Sequence, residues 1–291
     1  MKPLFFIIST LLLLSHCARP IAQLQAPREA RAGEAVTFTN ESKDATAYSW
    51  DFGDGTTTAA ENPAHRFLKS GEYEVVLTAT NEQGRSKKRK QRISILPPAR
   101  CLVYIQTPEG NMIAQLYDET PKHQDNFTKL VEENYYDSLL FHRVIDGFMV
   151  QGGDPNSRDA GPSARLGSGG PGYMVDAEFN PNLIHKKGAL AAARNNNPQR
   201  ASSGSQFYIV EGRPVDDSQL NRQEGEFDFR YSTEMRELYK EVGGTPFLDM
   251  NYTVFGQVVD GLDVIDRITA RPTDGSDRPR EDVWMKISLI K

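Results

Sequence analysis

Apolar and polar residues alternate along four short segments in the first hundred positions of the chain. This period of two is typical of β-strands with one buried face, and Val36 and Phe38, for example, fall on the same face of the first segment. Glycine, aspartate and asparagine lie between the segments, which are 35–39, 48–52, 73–79 and 92–95. Short alternating strands joined by turns predict an antiparallel β-sandwich over residues 22–96.

The pattern changes after two successive prolines, Pro97 and Pro98. Because proline lacks a backbone donor and stiffens the chain, residues 97–100 are interpreted as a linker. Beyond the linker, apolar segments at 102–105 and 112–116 flank a turn rich in Pro and Gly. This arrangement predicts a β-hairpin.

The second part of the chain, 101–291, carries many strand signals and few helix signals. Thr120 as an N-cap and Pro121 at the first helical position predict a helix that turns Phe127 inward. Further apolar strands are expected at 207–210, 253–259 and 283–289. Many strands with few helices favour a closed β-barrel, so the chain as a whole is predicted to be mostly β.

The N-terminal residues have the pattern of a secretion signal. Lys2 supplies a positive start, and residues 4–14 are almost wholly apolar. That apolar stretch is too short to span a hydrocarbon core of ~30 Å at ~1.5 Å per residue. Residues 1–16 are therefore interpreted as a signal peptide and are excluded from fold reasoning.

The residues at 14–17, Leu-Ser-His-Cys, resemble a bacterial lipobox, although His16 occupies a position where that family usually has a small residue. The resemblance implies that Cys17 becomes the first mature residue and carries acyl chains, which anchor the protein to a membrane. The expected location is the periplasm or the cell surface, lipid-anchored to a bacterial membrane. The alternative is an ordinary cleaved signal peptide.

The net charge and the cysteine content limit which functions the chain can have. The 291-residue chain has a net charge of −5, so binding to nucleic acid is not expected. The two cysteines are Cys17 and Cys101, and we interpret Cys101 as a packed, unreactive thiol and not as part of a disulfide framework. A basic cluster within 85–92 is interpreted as a solvated or charge-protected strand, with contact to anionic head groups as the weaker alternative.

The segment 141–154, Phe-His-Arg-Val-Ile-Asp-Gly-Phe-Met-Val-Gln-Gly-Gly-Asp, combines one fixed cation, two large apolar side chains and one amide between glycines. It lacks a nucleophile beside a base, metal-ligand spacing and a phosphate-binding loop, so no metal and no cofactor are expected. Such a site can hold an apolar ring beside a hydrogen-bond donor. That suits a reaction in which no bond to the substrate is made or broken.

Two family resemblances follow from these and other segments. Segments 50–55, 62–67 and 71–75 resemble the PKD domain, an immunoglobulin-like module. The second resemblance is to the cyclophilins, the peptidyl-prolyl cis–trans isomerases, and it depends on the four blocks 141–154, 188–194, 204–209 and 247–256. Together they imply an Ig-like β-sandwich over 22–96, then an eight-stranded cyclophilin-like β-barrel with capping helices over 101–291.

The cyclophilin resemblance assigns roles to individual positions. Arg143 matches the catalytic arginine, and Gln151 matches the glutamine that binds the substrate backbone and completes the catalytic pair. Ala193 and Arg194 match the segment that pairs with the substrate main chain. The remaining substrate-binding positions are aromatic or aliphatic walls of the proline pocket: Phe148, Met149, Tyr208, Phe247, Leu248 and Tyr252.

The implied activity is acceleration of rotation about X–Pro bonds in extracytoplasmic proteins, which assists their folding. The expected partners are proline-containing polypeptides and, through lipidated Cys17, a membrane. The PKD-like domain is expected to act as a spacer or to bind protein or glycan. Two alternatives remain open: a non-catalytic proline-peptide-binding chaperone, and a surface-binding lipoprotein whose main role lies in the first domain.

Three positions depart from the best-known cyclophilin pattern. Phe247 occupies a position where many members have tryptophan or histidine, and Tyr252 one where many have histidine, but both keep an aromatic wall. The third departure is an insertion at 215–244. Within it, Ser232 or Thr233 can cap a helix that ends at Gly243 and carries Met235, Leu238, Tyr239 and Val242 on one face. We hypothesise that the insertion forms one rim of the substrate groove and shapes substrate choice.

Overall fold

The computed structural model describes residues 19–227 and 229–291, and it divides into two compact units between Pro97 and Pro98. The predicted signal peptide at 1–16 and the predicted lipidation site Cys17 lie outside the described residues. Within those residues, no helix has both the length and the apolar character needed to cross a membrane.

The first unit consists of short strands, apart from two long ones that form its main hairpin. They are β1 (Leu24–Gln25), β2 (Glu29–Arg31), β3 (Ala35–Thr37), β4 (Thr39–Asn40), β5 (Ala47–Asp51), β6 (Thr57–Thr58), β7 (Ala64–Arg66), β8 (Gly71–Thr80) and β9 (Ser86–Leu96). Five strands form the larger sheet in the order β2-β9-β8-β5-β6, and the pairs β1-β4 and β3-β7 complete the sandwich. The prediction of a purely antiparallel sandwich was wrong at one edge, because β2 pairs with β9 in parallel.

Aromatic residues fill the core of the first unit. Phe38, Trp50 and Phe67 are fully buried, and the ring centroids of Phe38 and Trp50 lie 5.7 Å apart. The indole nitrogen of Trp50 donates to the carbonyl of Ala60 at 3.0 Å, so its one polar atom is satisfied. The predicted inward positions Val36 and Phe38 are both buried.

The second unit is built around one large sheet with helices attached. Its strands are β10 (Leu102–Thr107), β11 (Gly110–Leu116), β12 (Leu139–Leu140), β13 (Arg143–Ile145), β14 (Met149–Gly152), β15 (Met174–Val175), β16 (Ala189–Ala192), β17 (Ser202–Ser203), β18 (Phe207–Val210), β19 (Val254–Asp260) and β20 (Trp284–Leu289). Its helices are α1 (Pro121–Glu132), α2 (Asp217–Glu226), α3 (Thr233–Val242) and α4 (Leu262–Thr269), with 3-10 turns at Pro155–Ser157 and Pro246–Leu248.

The main sheet has the strand order β12-β20-β10-β11-β19-β16-β18-β14-β13. Its two edge strands are consecutive in the chain, since only Phe141 and His142 separate β12 from β13. Counted as one interrupted strand, they give the eight strands expected of a cyclophilin-like barrel. The curl of the sheet brings its two edges together at this segment.

Side chains from alternate positions fill the interior. On β18, Phe207 and Ile209 belong to the interior cluster, whereas Tyr208 and Val210 belong to a separate cluster on the other face. Helix α1 buries Phe127 in the interior cluster and α4 buries Ile265 there, so these are the two capping helices. The predicted cap Thr120 precedes α1, but its hydroxyl donates to the carbonyl of Tyr117 at 3.3 Å and makes no capping hydrogen bond.

The insertion contains the predicted helix α3 and a second helix, α2, that was not predicted. Ser232 accepts from the Met235 amide at 3.2 Å, and α3 ends at Gly243 with φ +77°. Helix α2 starts with a capping box, because Asp216 and Gln219 each accept from the other's backbone amide at 2.9 Å.

Candidate active site

Strand register aligns three predicted site residues across the outer face of the sheet. Arg143 on β13 lies directly opposite Gln151 on β14, and Gln151 lies opposite Tyr208 on β18. Directly paired residues share a face, and the neighbouring positions Val144 and Val150 point to the barrel interior. The alternation therefore assigns Arg143, Gln151 and Tyr208 to one outward row.

Beside this row lies a pocket of about 140 Å³. That volume is below the ~300–1,000 Å³ of sites for drug-sized ligands and suits one small ring. Nine of the ten predicted site residues line it: Arg143, Phe148, Met149, Gln151, Ala193, Arg194, Tyr208, Leu248 and Tyr252. No residue of the described part of the 215–244 insertion lines this pocket, and the hypothesis that the insertion forms one rim of the wider groove stays a prediction.

The tenth residue, Phe247, lies outside the pocket lining on the 3-10 turn Pro246–Leu248. The residue is 56% exposed, and its ring centroid lies 5.7 Å from that of Phe148. The next residue, Leu248, lines the pocket instead. Phe247 therefore extends the apolar surface next to the pocket.

Phe148 and Met149 both line the pocket, although adjacent strand residues would point to opposite faces. The reason is that Phe148 precedes β14 and belongs to a turn in which Gly147 has φ +68°. The Gly147 amide donates to Glu211 at 2.5 Å, and this bond fixes the turn. Met149, at the first position of β14, is buried as the pocket floor.

Arg143 is held from behind by Asp277. Its Nε lies 3.4 Å from Asp277 Oδ2, and the Val144 amide donates to the Asp277 carbonyl at 2.8 Å. Among the described residues, the terminal guanidinium nitrogens of Arg143 have no hydrogen-bond partner. The side chain is 42% exposed, so those donors remain available to a bound ligand. Nothing in the sequence around Arg143 pointed to Asp277, which lies on a distant loop.

Gln151 is oriented by a chain of amide groups. Its Nε2 donates to Gln206 Oε1 at 3.1 Å, and Gln206 Nε2 donates to the Gly169 carbonyl at 2.7 Å. This arrangement leaves Gln151 Oε1 without a protein donor in the described ranges. The oxygen can therefore accept a hydrogen bond from a ligand amide. Gln206 was part of a family block but had no predicted role.

The backbone of Ala193 is already paired within the protein. Its amide donates to the Gln206 carbonyl at 2.9 Å, and its carbonyl accepts from the Ser203 amide at 2.8 Å. The backbone groups of Arg194 have no such partner in the part of the chain that the structure describes. The guanidinium of Arg194 donates to the Asn251 carbonyl at 3.0 Å and lies 4.8 Å from the ring centroid of Tyr252. Of the two predicted residues, Arg194 is thus the one with free main-chain groups.

A model of the cyclophilin-type peptidyl-prolyl cis-trans isomerase/CLD family matches residues 102–288, which is more than half of the chain. The chain belongs to the cyclophilin-type peptidyl-prolyl cis–trans isomerases. A PKD domain model matches residues 17–95, ahead of the isomerase domain.

Similar proteins carry the same activity in their names. A peptidyl-prolyl cis-trans isomerase of Staphylococcus aureus (strain USA300) is 35% identical over 182 residues, which is 62% of this chain and 87% of that protein. A bifunctional phosphatase/peptidyl-prolyl cis-trans isomerase of Streptococcus pyogenes serotype M6 is 36% identical over 228 residues, 77% of this chain. The match spans 46% of that streptococcal protein, about half its length.

Among solved structures, the chain is similar to a cyclophilin type peptidyl-prolyl cis-trans isomerase of Cryptosporidium parvum. The two are 25% identical with a TM-score of 0.48, and the match covers 66% of this chain and 98% of that one.

Within the described ranges of the isomerase, no group of three or more His, Cys, Asp or Glu residues could hold a metal ion.

Two buried histidines predict that the isomerase domain loses stability in acid. Burial lowers the pKa of His142, next to Arg143, and burial also lowers the pKa of His123 against the opposing effect of Glu178. In the unfolded chain these histidines have the ordinary pKa of 6.5, so they take up protons at a higher pH than in the folded domain. The stability that the two neutral histidines contribute is therefore complete above pH 6.5 and is lost as pH falls towards the lowered pKa values.

We therefore expect hydrogen exchange in peptides covering 139–152 to accelerate between pH 7 and pH 5, after correction for intrinsic exchange. His142→Leu should reduce this acceleration, because it removes one of the two titrating groups. An unchanged pH profile in His142→Leu would exclude His142 as a contributor.

Proposed function

We propose that Arg143 catalyses rotation about X–Pro bonds while the apolar pocket beside it holds the prolyl ring. The observation that carries this proposal is the direct pairing of Arg143 with Gln151 next to a ring-sized pocket floored by Met149. The uncatalysed rotation has a barrier of about 18–20 kcal/mol, because amide resonance is lost as the bond twists.

In the planar amide the lone pair of the prolyl nitrogen is delocalised into the carbonyl, and in the twisted state the nitrogen becomes pyramidal and that lone pair is localised on it. The guanidinium of Arg143 is always protonated and can donate to that lone pair. An interaction that exists in the transition state and not in the ground state is the kind that accelerates a reaction. The mechanism requires neither a cofactor nor a covalent intermediate.

Gln151 and Arg194 hold the substrate main chain while the bond rotates. Gln151 Oε1 accepts from a substrate amide, since its Nε2 is engaged by Gln206. The free backbone groups of Arg194 form main-chain hydrogen bonds with an extended stretch of the substrate. With the chain fixed on one side and the ring fixed in the pocket, the intervening carbonyl is the part that turns.

The alternative function is proline-peptide binding without turnover, as in a chaperone. The two are separated by measuring cis–trans exchange of a short X–Pro peptide by NMR with the chain from Ala18 onward. Accelerated exchange supports catalysis. Chemical-shift changes in the peptide without accelerated exchange would favour proline-peptide binding without turnover.

We propose that the isomerase acts outside the cytoplasm, held to a bacterial membrane by acyl chains on Cys17. The support is the apolar leader followed by the lipobox-like segment 14–17. In a bacterial host the full chain should fractionate with membranes, and Cys17→Ser should move it to the soluble fraction. Cys101→Ser is the matched control and should stay with the membranes. A Cys17→Ser protein that remains membrane-bound would contradict lipid anchoring.

The first unit is proposed as a spacer with a binding role for protein or glycan. Its basic cluster lies on β9, where Lys87, Lys88, Arg89 and Lys90 are exposed. Among the described residues, this strand pairs between Ser86 and Gln91 with β8 only, because β2 reaches only Ser94–Leu96. Lysines along an open strand edge oppose aggregation and favour partners with negative charge.

A further inference from the structure

A chain of buried polar groups connects the insertion to the wall of the proline pocket. The Tyr208 hydroxyl lies 3.0 Å from His185 Nε2, and His185 Nδ1 lies 2.7 Å from Asp249 Oδ1. The other carboxylate oxygen, Asp249 Oδ2, accepts from the hydroxyls of Tyr231 at 2.7 Å and Tyr239 at 2.6 Å. Tyr231 and Tyr239 both belong to the insertion. The Asp249 carboxylate therefore joins the insertion to His185, which lies 64 positions before Asp249 in the sequence.

The hydrogen bonds in this network have one consistent direction. The His185 amide also donates to Asp249 Oδ1, at 2.8 Å, so the carboxylate accepts four hydrogen bonds. Because the Asp249 carboxylate can only accept, His185 Nδ1–H donates to it, and in the neutral imidazole Nε2 then accepts from the Tyr208 hydroxyl. Burial raises the pKa of Tyr208 well above its usual value, and the hydroxyl therefore keeps the proton that it donates.

All five side chains are buried, and His185 and Tyr239 have no exposed surface. A buried carboxylate is costly unless donors surround it. Two of the four donors to Asp249 come from the insertion, so the insertion is needed to keep this carboxylate inside the protein in one orientation. Burial also raises the pKa of Tyr239 well above its usual value, which preserves it as a donor.

The network ends at the part of the pocket that contacts the ring of a substrate. Tyr208 lines the pocket, stacks on His185 with ring centroids 6.0 Å apart, and meets Tyr252 edge-on at 6.0 Å. Leu248, another wall residue, directly precedes Asp249, and the Thr245 amide donates to the His185 carbonyl at 2.8 Å. A shift of Asp249 would therefore move two walls of the pocket together.

We propose that Tyr231 and Tyr239 of the insertion are positioning residues for prolyl isomerisation, acting through Asp249 and His185 on Tyr208. This inference depends on the proposed function of the pocket. In this role the insertion supports the pocket wall from behind, through its buried hydrogen bonds to Asp249.

The test is a double-mutant cycle between Tyr239→Phe and Tyr208→Phe, measured as kcat/KM on a short X–Pro peptide. Each single change keeps the aromatic ring and removes one hydroxyl of the network. We expect Tyr239→Phe to lower kcat/KM by about 5- to 20-fold, below the ~10²-fold that a misplaced site can cost, with KM carrying most of the change. In the Tyr208→Phe background the same change should cost less than about 2-fold, because the connection is already broken.

Tyr136→Phe is the matched control for stability. Tyr136 is buried in the barrel interior, and its hydroxyl donates to the Ser205 carbonyl at 3.2 Å, outside the network. The effect of Tyr136→Phe on kcat/KM should be the same in the parent protein and in the Tyr208→Phe background. Equal losses from Tyr239→Phe in both backgrounds would overturn the proposal, since they would show a general structural effect.

A failure of the proposed function gives a different result. If the parent protein does not accelerate exchange, catalysis is wrong, and the same four proteins are compared by their Kd for the peptide. Coupling between positions 208 and 239 in Kd would still support positioning of the pocket wall. Additive losses in Kd would overturn it.

Discussion

Replacing Arg143 with alanine is expected to lower kcat/KM for X–Pro isomerisation by about 10²- to 10³-fold, the loss that follows removal of one donor to developing charge. The pocket residues remain in Arg143→Ala, so the Kd of a proline peptide should change little. A large loss in rate with a small loss in binding is the pattern of an interaction made mainly in the transition state.

Two further variants make the Arg143 result specific. Arg143→Lys keeps a positive charge but loses the planar set of donors, and we expect it to recover only part of the activity. Arg222→Ala removes an exposed arginine on α2 in the same domain and should leave kcat/KM unchanged. If the kcat/KM of Arg143→Ala stays within about threefold of that of the parent protein, the assignment of Arg143 as the catalytic residue is wrong.

Local patterns in the sequence predicted most of the strands, whereas the residues of the outward row were assigned by the cyclophilin resemblance. Alternation at 207–210 separates Phe207 and Ile209, which fill the interior, from Tyr208, which faces the pocket. The glycine-bounded segment 141–154 contains both strands that pair Arg143 with Gln151. The strands depend on near neighbours in the chain, so a short apolar run or a family block of consecutive residues is enough to indicate them.

Features that depend on distant contacts could not be predicted in this way. Asp277 reaches Arg143 across 134 positions of sequence, and nothing in its own surroundings distinguishes it from other turn aspartates. His185 was not among the predicted site residues, and its link to Asp249 spans 64 residues. The parallel pairing of β2 with β9 is equally non-local, since a short strand carries no signal of its partner's direction.

Replacing Gly153 with alanine is expected to destabilise the isomerase domain by about 2–6 kcal/mol. Gly153 has φ +89°, a conformation that residues with a Cβ adopt at a cost. A Cβ at this position would lie 2.2 Å from the Ser205 carbonyl oxygen and 3.0 Å from Gln206 Cα. Both contacts are backbone atoms, so no side-chain rotation can relieve them. The measurement is hydrogen exchange, with peptides from the PKD unit as an internal reference that should not change.

Gly172→Ala separates the two causes of the Gly153 effect. Gly172 also has φ +89°, but nothing lies within 4 Å of the Cβ position there. It should cost only the backbone strain, about 1–2 kcal/mol. The excess loss in Gly153→Ala then measures the clash with the 205–206 backbone. Because Gln206 orients Gln151, that clash should also lower isomerase activity in the folded fraction, whereas Gly172→Ala should not. Equal destabilisation by the two changes would mean that the backbone at 205–206 moves away easily, and the close packing of Gly153 would then have no role in positioning Gln151.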